Sequence, residues 1–222
     1  MTKWLNAQRL ELEHWQSAIA MPVHSRAALT NAAVVSYVIW TRFGVCLADC
    51  IGGTIIDIGC GPTGRIACFG GAKKIGIDPL ADEYRKLAPV LMNDYAAIYQ
   101  ARAEEFLPCL AESAYLVACI NCLDHCEYPR DVIANMYAYC KPGGIGVVSV
   151  DCSDGSEEMH PSRTTPESVA ALLVDVGWKI EHASSGKAYP HLNDAGEVVA
   201  WDDGWSPSAV AYHWKVRRQS ES

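Results

Sequence analysis

The sequence has no low-complexity tract, no internal repeat and no long apolar run; the longest, residues 32–40, is interrupted by Ser36. These absences exclude a disordered chain, a repeat array and a bilayer-spanning helix. Its start lacks the charged, apolar and small-residue sections of a signal peptide, so a cytoplasmic setting is expected. Positive charge is also scarce: 18 Lys and Arg against 26 Asp and Glu leave a formal net charge of -8, and only residues 215–218 gather basic side chains. A long nucleic acid is bound through clustered cations, so neither it nor a membrane is an expected partner; a small molecule or a protein is left as the acceptor, and a small-molecule acceptor is expected. A homodimer stays open.

What is present is a chain of 222 residues, half of them hydrophobic, enough for one large core. The ten cysteines sit mostly inside apolar runs, which fits buried, reduced thiols. Cys119, Cys122 and Cys126 have a spacing that could hold a metal, but no fourth ligand is near and a strand end falls between them. No metal site is assigned.

Residues 54–64 organise the rest. Three β-branched residues lead to Asp57, and Gly59, Gly61 and Gly64 follow with the spacing that turns a strand tightly into a helix against a ligand. About twenty residues on, a second apolar run ends at Asp78, where a carboxylate can accept hydrogen bonds from both ribose hydroxyls. The pair indicates an adenosine-containing ligand, either a dinucleotide or S-adenosylmethionine. A pyrophosphate would be repelled by Asp57, whereas a sulfonium compound carrying an ammonium group would be attracted.

With Asp57-Ile58-Gly59-Cys60-Gly61-Pro62-Thr63-Gly64 the chain resembles the class I S-adenosylmethionine-dependent methyltransferases. The resemblance is strong over residues 51–150 and looser elsewhere. It implies an α/β, Rossmann-like, seven-stranded, mostly parallel sheet with an antiparallel last strand and an N-terminal helical extension. One domain over residues 1–222 is expected: a helical cap (1–50), a cofactor-binding core (51–150) and an acceptor-side part (151–222). It also implies S-adenosyl-L-methionine as cofactor, held by Asp57, Gly59, Cys60, Gly61, Gly64, Asp78, Pro79, Ala103, Glu104, Asn121 and Cys122. Two positions depart from the family pattern, which has acidic residues where Arg102 and Tyr115 stand, so Glu104 is the expected acceptor for the adenine amino group.

Element by element, a capped amphipathic helix is expected over residues 2–20 and a second over 27–47, with Arg26 and Arg42 as polar contacts. Helices are expected at 62–70, from Pro79 to Leu91 with Pro89 bending it, at 130–140 and at 166–176, the last between a Thr165 cap and Gly177. Strands are expected at 54–58, 74–78, 98–102, 115–120, 145–150, 178–183 and 209–216. Residues 184–207 form a long segment whose Trp201, Asp202, Asp203 and Trp205 suit an acceptor-side flap or a hairpin tip.

The segment from Asn121 to Pro129 resembles the fourth motif of small-molecule methyltransferases, with Leu-x-His and then Pro at a helix start. It lacks the Asp/Asn-Pro-Pro-aromatic run and the Pro-Cys step that DNA-base enzymes of the family place there. His125 and His160 each follow a central strand, and imidazole is the side chain best matched to removing an acceptor proton near neutral pH. Asp124 and Asp151 follow the same strands, and two such carboxylates could hold magnesium. The expected function is methyl transfer to oxygen or nitrogen of a small molecule; the alternatives are a noncatalytic S-adenosylmethionine-binding protein and an NAD(P)-dependent oxidoreductase.

Overall fold

The computed structural model describes residues 2–20, 37, 40–154, 157–186, 191–192, 198–200 and 211–220. Most of the second expected helix and the four residues 201, 202, 203 and 205 lie outside them.

Helix α1 (Lys3–Ala20) opens the chain, with Thr2 Oγ1 accepting the Leu5 N–H at 3.2 Å as an N-terminal cap. Strands β1 (Thr54–Ile58), β2 (Lys73–Ile77), β3 (Ala97–Tyr99), β4 (Ala114–Ile120) and β5 (Cys140–Asp151) follow. Between β2 and β3 lie the short helices α2 (Ala81–Leu87) and α3 (Pro89–Met92), and between β4 and β5 lies α4 (Pro129–Tyr139). A small pair, β6 (Ser153–Asp154) and β7 (Arg163–Thr164), precedes α5 (Pro166–Val176) and β8 (Trp178–Gly186). The pair β9 (His191–Leu192) and β10 (Val198–Ala200) stands apart from the main sheet, and β11 (Ala211–Arg218) ends the chain.

The seven-stranded sheet runs β3-β2-β1-β4-β5-β11-β8. The five strands from β3 to β5 are parallel, and β11 inserts antiparallel to both β5 and β8. Both faces are covered, as the near-continuous apolar strands require. Ile56 and Ile58 of β1 join Val117 and Cys119 of β4 in one core with α4 and α5. The alternate residues Ile55, Leu116, Ala118 and Ile120 join Trp40, Phe43, Phe69, Tyr84 and Tyr95 in the other. Burying each such large apolar side chain contributes roughly 1.5–3 kcal/mol.

Chain order departs from β1-to-β2 adjacency at β4, so the β1/β4 junction is the switch point where ligands of such sheets bind. Three expectations change at the edges of elements. Residues 62–70 form turns rather than a helix, with Ala67 N–H bonded to Gly64 O at 2.9 Å and Phe69 N–H to Ile66 O at 3.2 Å. Glycine at 61, 64, 70 and 71 makes a regular helix costly there, yet Ile66 and Phe69 still reach the core. Strand β3 stops at Tyr99, because Arg102 leaves the sheet to bind side chains described below. Strand β5 begins at Cys140, with the expected 141–144 turn looped out where pairing jumps from Ala114↔Cys140 to Leu116↔Ile145. Among the described residues no helix is long and apolar enough to cross a membrane.

Candidate active site

The carboxyl ends of β1, β2 and β4 open into one cleft, roofed by α1. Gly59 and Gly61 form its floor, Asp78 and Pro79 one wall, Ala103 and Glu104 another, and Asn121, Cys122 and His125 a third. All of these were singled out in the sequence, and the fold brings them together. Cys60 and Asp57 lie fully buried beneath the floor, and Gly64 packs its backbone against Leu91.

Gly59 is fixed by space as well as by conformation. It has φ +67°, and a Cβ there would sit 2.3 Å from Cys122 Sγ, so the turn after β1 and the turn after β4 touch only because that side chain is absent. A Cβ on Gly61 would meet no protein atom within 4 Å, so the backbone there faces open cleft. The Gly61 N–H donates to Asp78 Oδ2 at 3.0 Å, and the Leu80 N–H donates to Asp78 Oδ1 at 2.8 Å. Asp78 therefore ties the glycine turn to the end of β2. Each oxygen keeps a lone pair, as acceptance of two ribose hydroxyls requires. Burial raises its pKa to about 7 against the pull of these two bonds.

Asp57 accepts the Tyr95 hydroxyl proton at 2.9 Å through Oδ2, while Oδ1 has no partner among the described residues. Burial raises its pKa to about 6, opposed by the Tyr95 bond and by the Arg65 charge. Arg65, which sequence reasoning did not single out, is buried with its Nη1 on Ile120 O at 2.9 Å and its Nε on Thr63 Oγ1 at 3.1 Å. A cation following the third glycine of the turn was the available signal.

The wall at residues 102–104 differs from expectation in detail. Glu104 Oε1 accepts the Glu127 N–H at 2.8 Å and lies 3.2 Å from Arg102 Nη2, so this oxygen ties two loops together. Arg102 also reaches Glu127 Oε2 at 2.6 Å and lies 4.2 Å from the centroid of the Trp4 ring. The residue that departs from the family pattern thus holds α1 over the cleft. On α1 it is Trp4, Gln8, Glu11 and Trp15 that face inward. Their three- and four-residue spacing marks one helix face, but its mixed polarity hid it from a search for apolar stripes.

His125 and His160 meet. The short 3-10 turn Leu123–His125 buries Leu123 and Asp124 and turns His125 to the cleft. Pairing of β6 with β7 folds the intervening loop back, and Ser162 fastens it by donating from N to Asp124 O at 3.3 Å and from Oγ to Cys126 O. The imidazoles then lie with centroids 4.5 Å apart at 70°. His160 Nε2 is 3.5 Å and His125 Nε2 3.9 Å from the same Asp124 Oδ2. Burial raises the Asp124 pKa to about 6, while the two imidazoles pull it the other way. His160 Nδ1 lies 2.7 Å from Glu157 Oε2, and His125 Nδ1 lies 3.7 Å from Glu11 Oε2.

The family model described as a methyltransferase domain matches residues 56–148. An uncharacterised methyltransferase of Mycobacterium avium (strain 104) is 29% identical over 100 residues, 44% of this chain and 39% of that protein, so the chain spans well under half of this curated relative. Among solved structures, an S-adenosylmethionine-dependent methyltransferase of Thermotoga maritima superposes with a TM-score of 0.64 and 15% identity, covering 98% of this chain and 100% of that one. The N-methyltransferase NodS of Bradyrhizobium japonicum WM9 gives 0.60 at 14% identity, covering 83% and 94%. At these identities the structural likeness is one of fold. Sheet order, glycine turn and the match over residues 56–148 make the chain similar to methyltransferase domains in fold and in this central stretch.

Proposed function

We propose that the protein is an enzyme of the cytoplasm that transfers a methyl group from S-adenosylmethionine to oxygen or nitrogen of a small-molecule acceptor, with His125 and His160 removing the acceptor proton. The observation that carries this reading is the opening of the glycine turn, Asp78 and His125 onto a single switch-point cleft, with the His160 ring 4.5 Å behind that of His125.

The cleft fits the cofactor: open space over Gly61, spare lone pairs on Asp78 and an unpartnered carboxylate oxygen on Asp57 suit an adenosyl compound with a cationic amino-acid tail. When bound, the sulfonium supplies a methyl carbon with a good leaving group. Asp78 orients the ribose, Asp57 and the glycine turn accommodate the cationic end, and α1 excludes water. An imidazole of the pair would take the acceptor's proton, and the bound cofactor would supply the methyl carbon and a neutral thioether as leaving group. Asp124, between the two rings, stabilises the imidazolium so formed. A narrow cleft walled by Glu11, Asp78 and Glu104 favours a small acceptor over a long anionic polymer.

His125→Ala and His160→Ala are expected to lower turnover about 10²–10⁴-fold in an assay of demethylated cofactor, with S-adenosylmethionine affinity kept within a factor of about two. Unchanged rates in both variants contradict the base assignment.

A further inference from the structure

The Asp124 cluster has features that a simple proton relay does not need. The Asp124 side chain has 0% exposure, and neither carboxylate oxygen has a hydrogen-bond partner among the described residues. A buried carboxylate without donors is costly, so such a group implies a positive partner at its oxygens. Both imidazoles present Nε2 to it; His160 Nδ1 lies 2.7 Å from Glu157 Oε2 three residues before it, and His125 Nδ1 lies 3.7 Å from Glu11 Oε2 on α1, beyond hydrogen-bond distance. For His160 that is the outer arrangement of a metal-ligating histidine, whose second ring nitrogen is held by a carboxylate that fixes tautomer and orientation, and for His125 Glu11 is the carboxylate nearest to that position. The Glu11 carboxylate is itself fixed, since its Oε1 accepts the Trp15 indole N–H at 2.7 Å.

The ligand atoms of Asp124, His125 and His160 all lie within 4.8 Å of one another. Bonds of about 2.0–2.2 Å to a central ion set ligand–ligand edges near about 3–3.5 Å, so side-chain movements of under about 1 Å close the set. We propose that Asp124, His125 and His160 bind one divalent first-row transition-metal ion, with its remaining positions open to the cleft that His125 lines. Two imidazoles and one carboxylate suit zinc, cobalt, manganese or iron(II), and not the all-oxygen shell that magnesium demands. This departs from the sequence reading, which assigned no metal and weighed only the Cys119, Cys122 and Cys126 thiols and a magnesium between Asp124 and Asp151. Among the described residues, the Asp–His–His cluster is the one that converges.

The cluster carries this site by itself, and the proposed methyl transfer enters only through its consequence. In the loaded site both Nε2 lone pairs are given to the ion, so the histidines act as ligands and the ion lowers the pKa of a coordinated acceptor hydroxyl or amine. The imidazole base described above is then the metal-free form of the site, and acceptors offering an oxygen or nitrogen that can coordinate are favoured.

The test titrates chelator-stripped full chain with Zn²⁺ by calorimetry and with Co²⁺ by visible absorption, and measures S-adenosylmethionine binding on the same samples. One equivalent of Zn²⁺ at about micromolar affinity or tighter is expected. Asp124→Asn and His160→Gln should each weaken it at least about tenfold, and Glu157→Gln by less, with cofactor binding retained as evidence of folding. Co²⁺ should give d–d bands without thiolate charge transfer. Absence of Zn²⁺ binding at millimolar concentration, equal binding by the variants, or a thiolate spectrum overturns the metal site. Cofactor binding without metal uptake removes the metal site alone, and metal uptake without cofactor binding removes the methyl-transfer reading alone.

Discussion

The side of the cleft proposed to seat the cofactor and the side proposed to take the acceptor are built by different means. On the cofactor side the partners are backbone groups of neighbouring turns: Gly61 and Leu80 N–H on Asp78, and Gly59 against Cys122. On the acceptor side they are side chains from remote segments, such as His160 on His125, Glu11 near His125, Lys3 on Pro161 O at 3.3 Å and Asn6 on Glu158 at 3.2 Å. Backbone geometry admits little change in sequence, whereas exposed side-chain ties are exchangeable. Such a difference would let the proposed cofactor seat stay fixed while the proposed acceptor side changes.

The sharpest way to break the contrast is Gly59→Ala. A methyl placed 2.3 Å from Cys122 Sγ at φ +67° forces the β1 and β4 turns apart. Destabilisation of roughly 2–4 kcal/mol is expected in thermal or denaturant melts, with S-adenosylmethionine binding lost. A variant melting like the parent would show that the two turns do not depend on each other.

The pH dependence gives a smaller effect of definite sign. The folded pKa of Asp78 is raised to about 7 and that of Asp57 to about 6, from an ordinary value of 3.8. Groups raised in the folded state contribute stability that is full below the unfolded value and lost as pH rises through the folded one. The ligand-free protein should therefore lose stability between about pH 4 and pH 7, each carboxyl costing at most about 1.4 kcal/mol for every pH step of one across its own window. Cofactor binding runs the other way, because Asp78 accepts ribose hydroxyls best when ionised; affinity should rise about tenfold from pH 6 to pH 8 in calorimetry. A flat profile for both quantities would place Asp78 in an unperturbed environment.

The smallest effect is expected where α1 roofs the cleft. Arg102→Ala removes the Trp4 stacking contact and the ties to Glu104 and Glu127. These partly exposed contacts are worth about 0.5–1 kcal/mol, so the melting temperature should barely move while amide exchange in α1 quickens. Unchanged exchange would mean that α1 is held by other contacts.

Legibility in the sequence follows the same divide. The glycine turn, the Asp78 strand end and α5 carry their signals locally: β-branched runs, glycines, and for α5 a Thr165–Ser168 capping box closed by Gly177 at φ +109°. The last strand was legible from its alternation, and its antiparallel direction from the family resemblance. The turns at 62–70 were misread as helix because glycine spacing shows where a helix can begin and not whether the chain has residues to continue it. Arg65 and the inward face of α1 were missed because their partners lie across the sheet switch. That His125 and His160 would share Asp124 depended on the β6–β7 pairing, which two-residue strands do not announce.

The central claim is met most directly by calorimetric titration of S-adenosylmethionine into the purified protein and its Asp78→Asn variant at pH 8. The account predicts about micromolar binding at one site, weakened at least about tenfold by the substitution. A folded parent protein that gives no heat at millimolar cofactor, or a variant that binds as well as the parent, would contradict it.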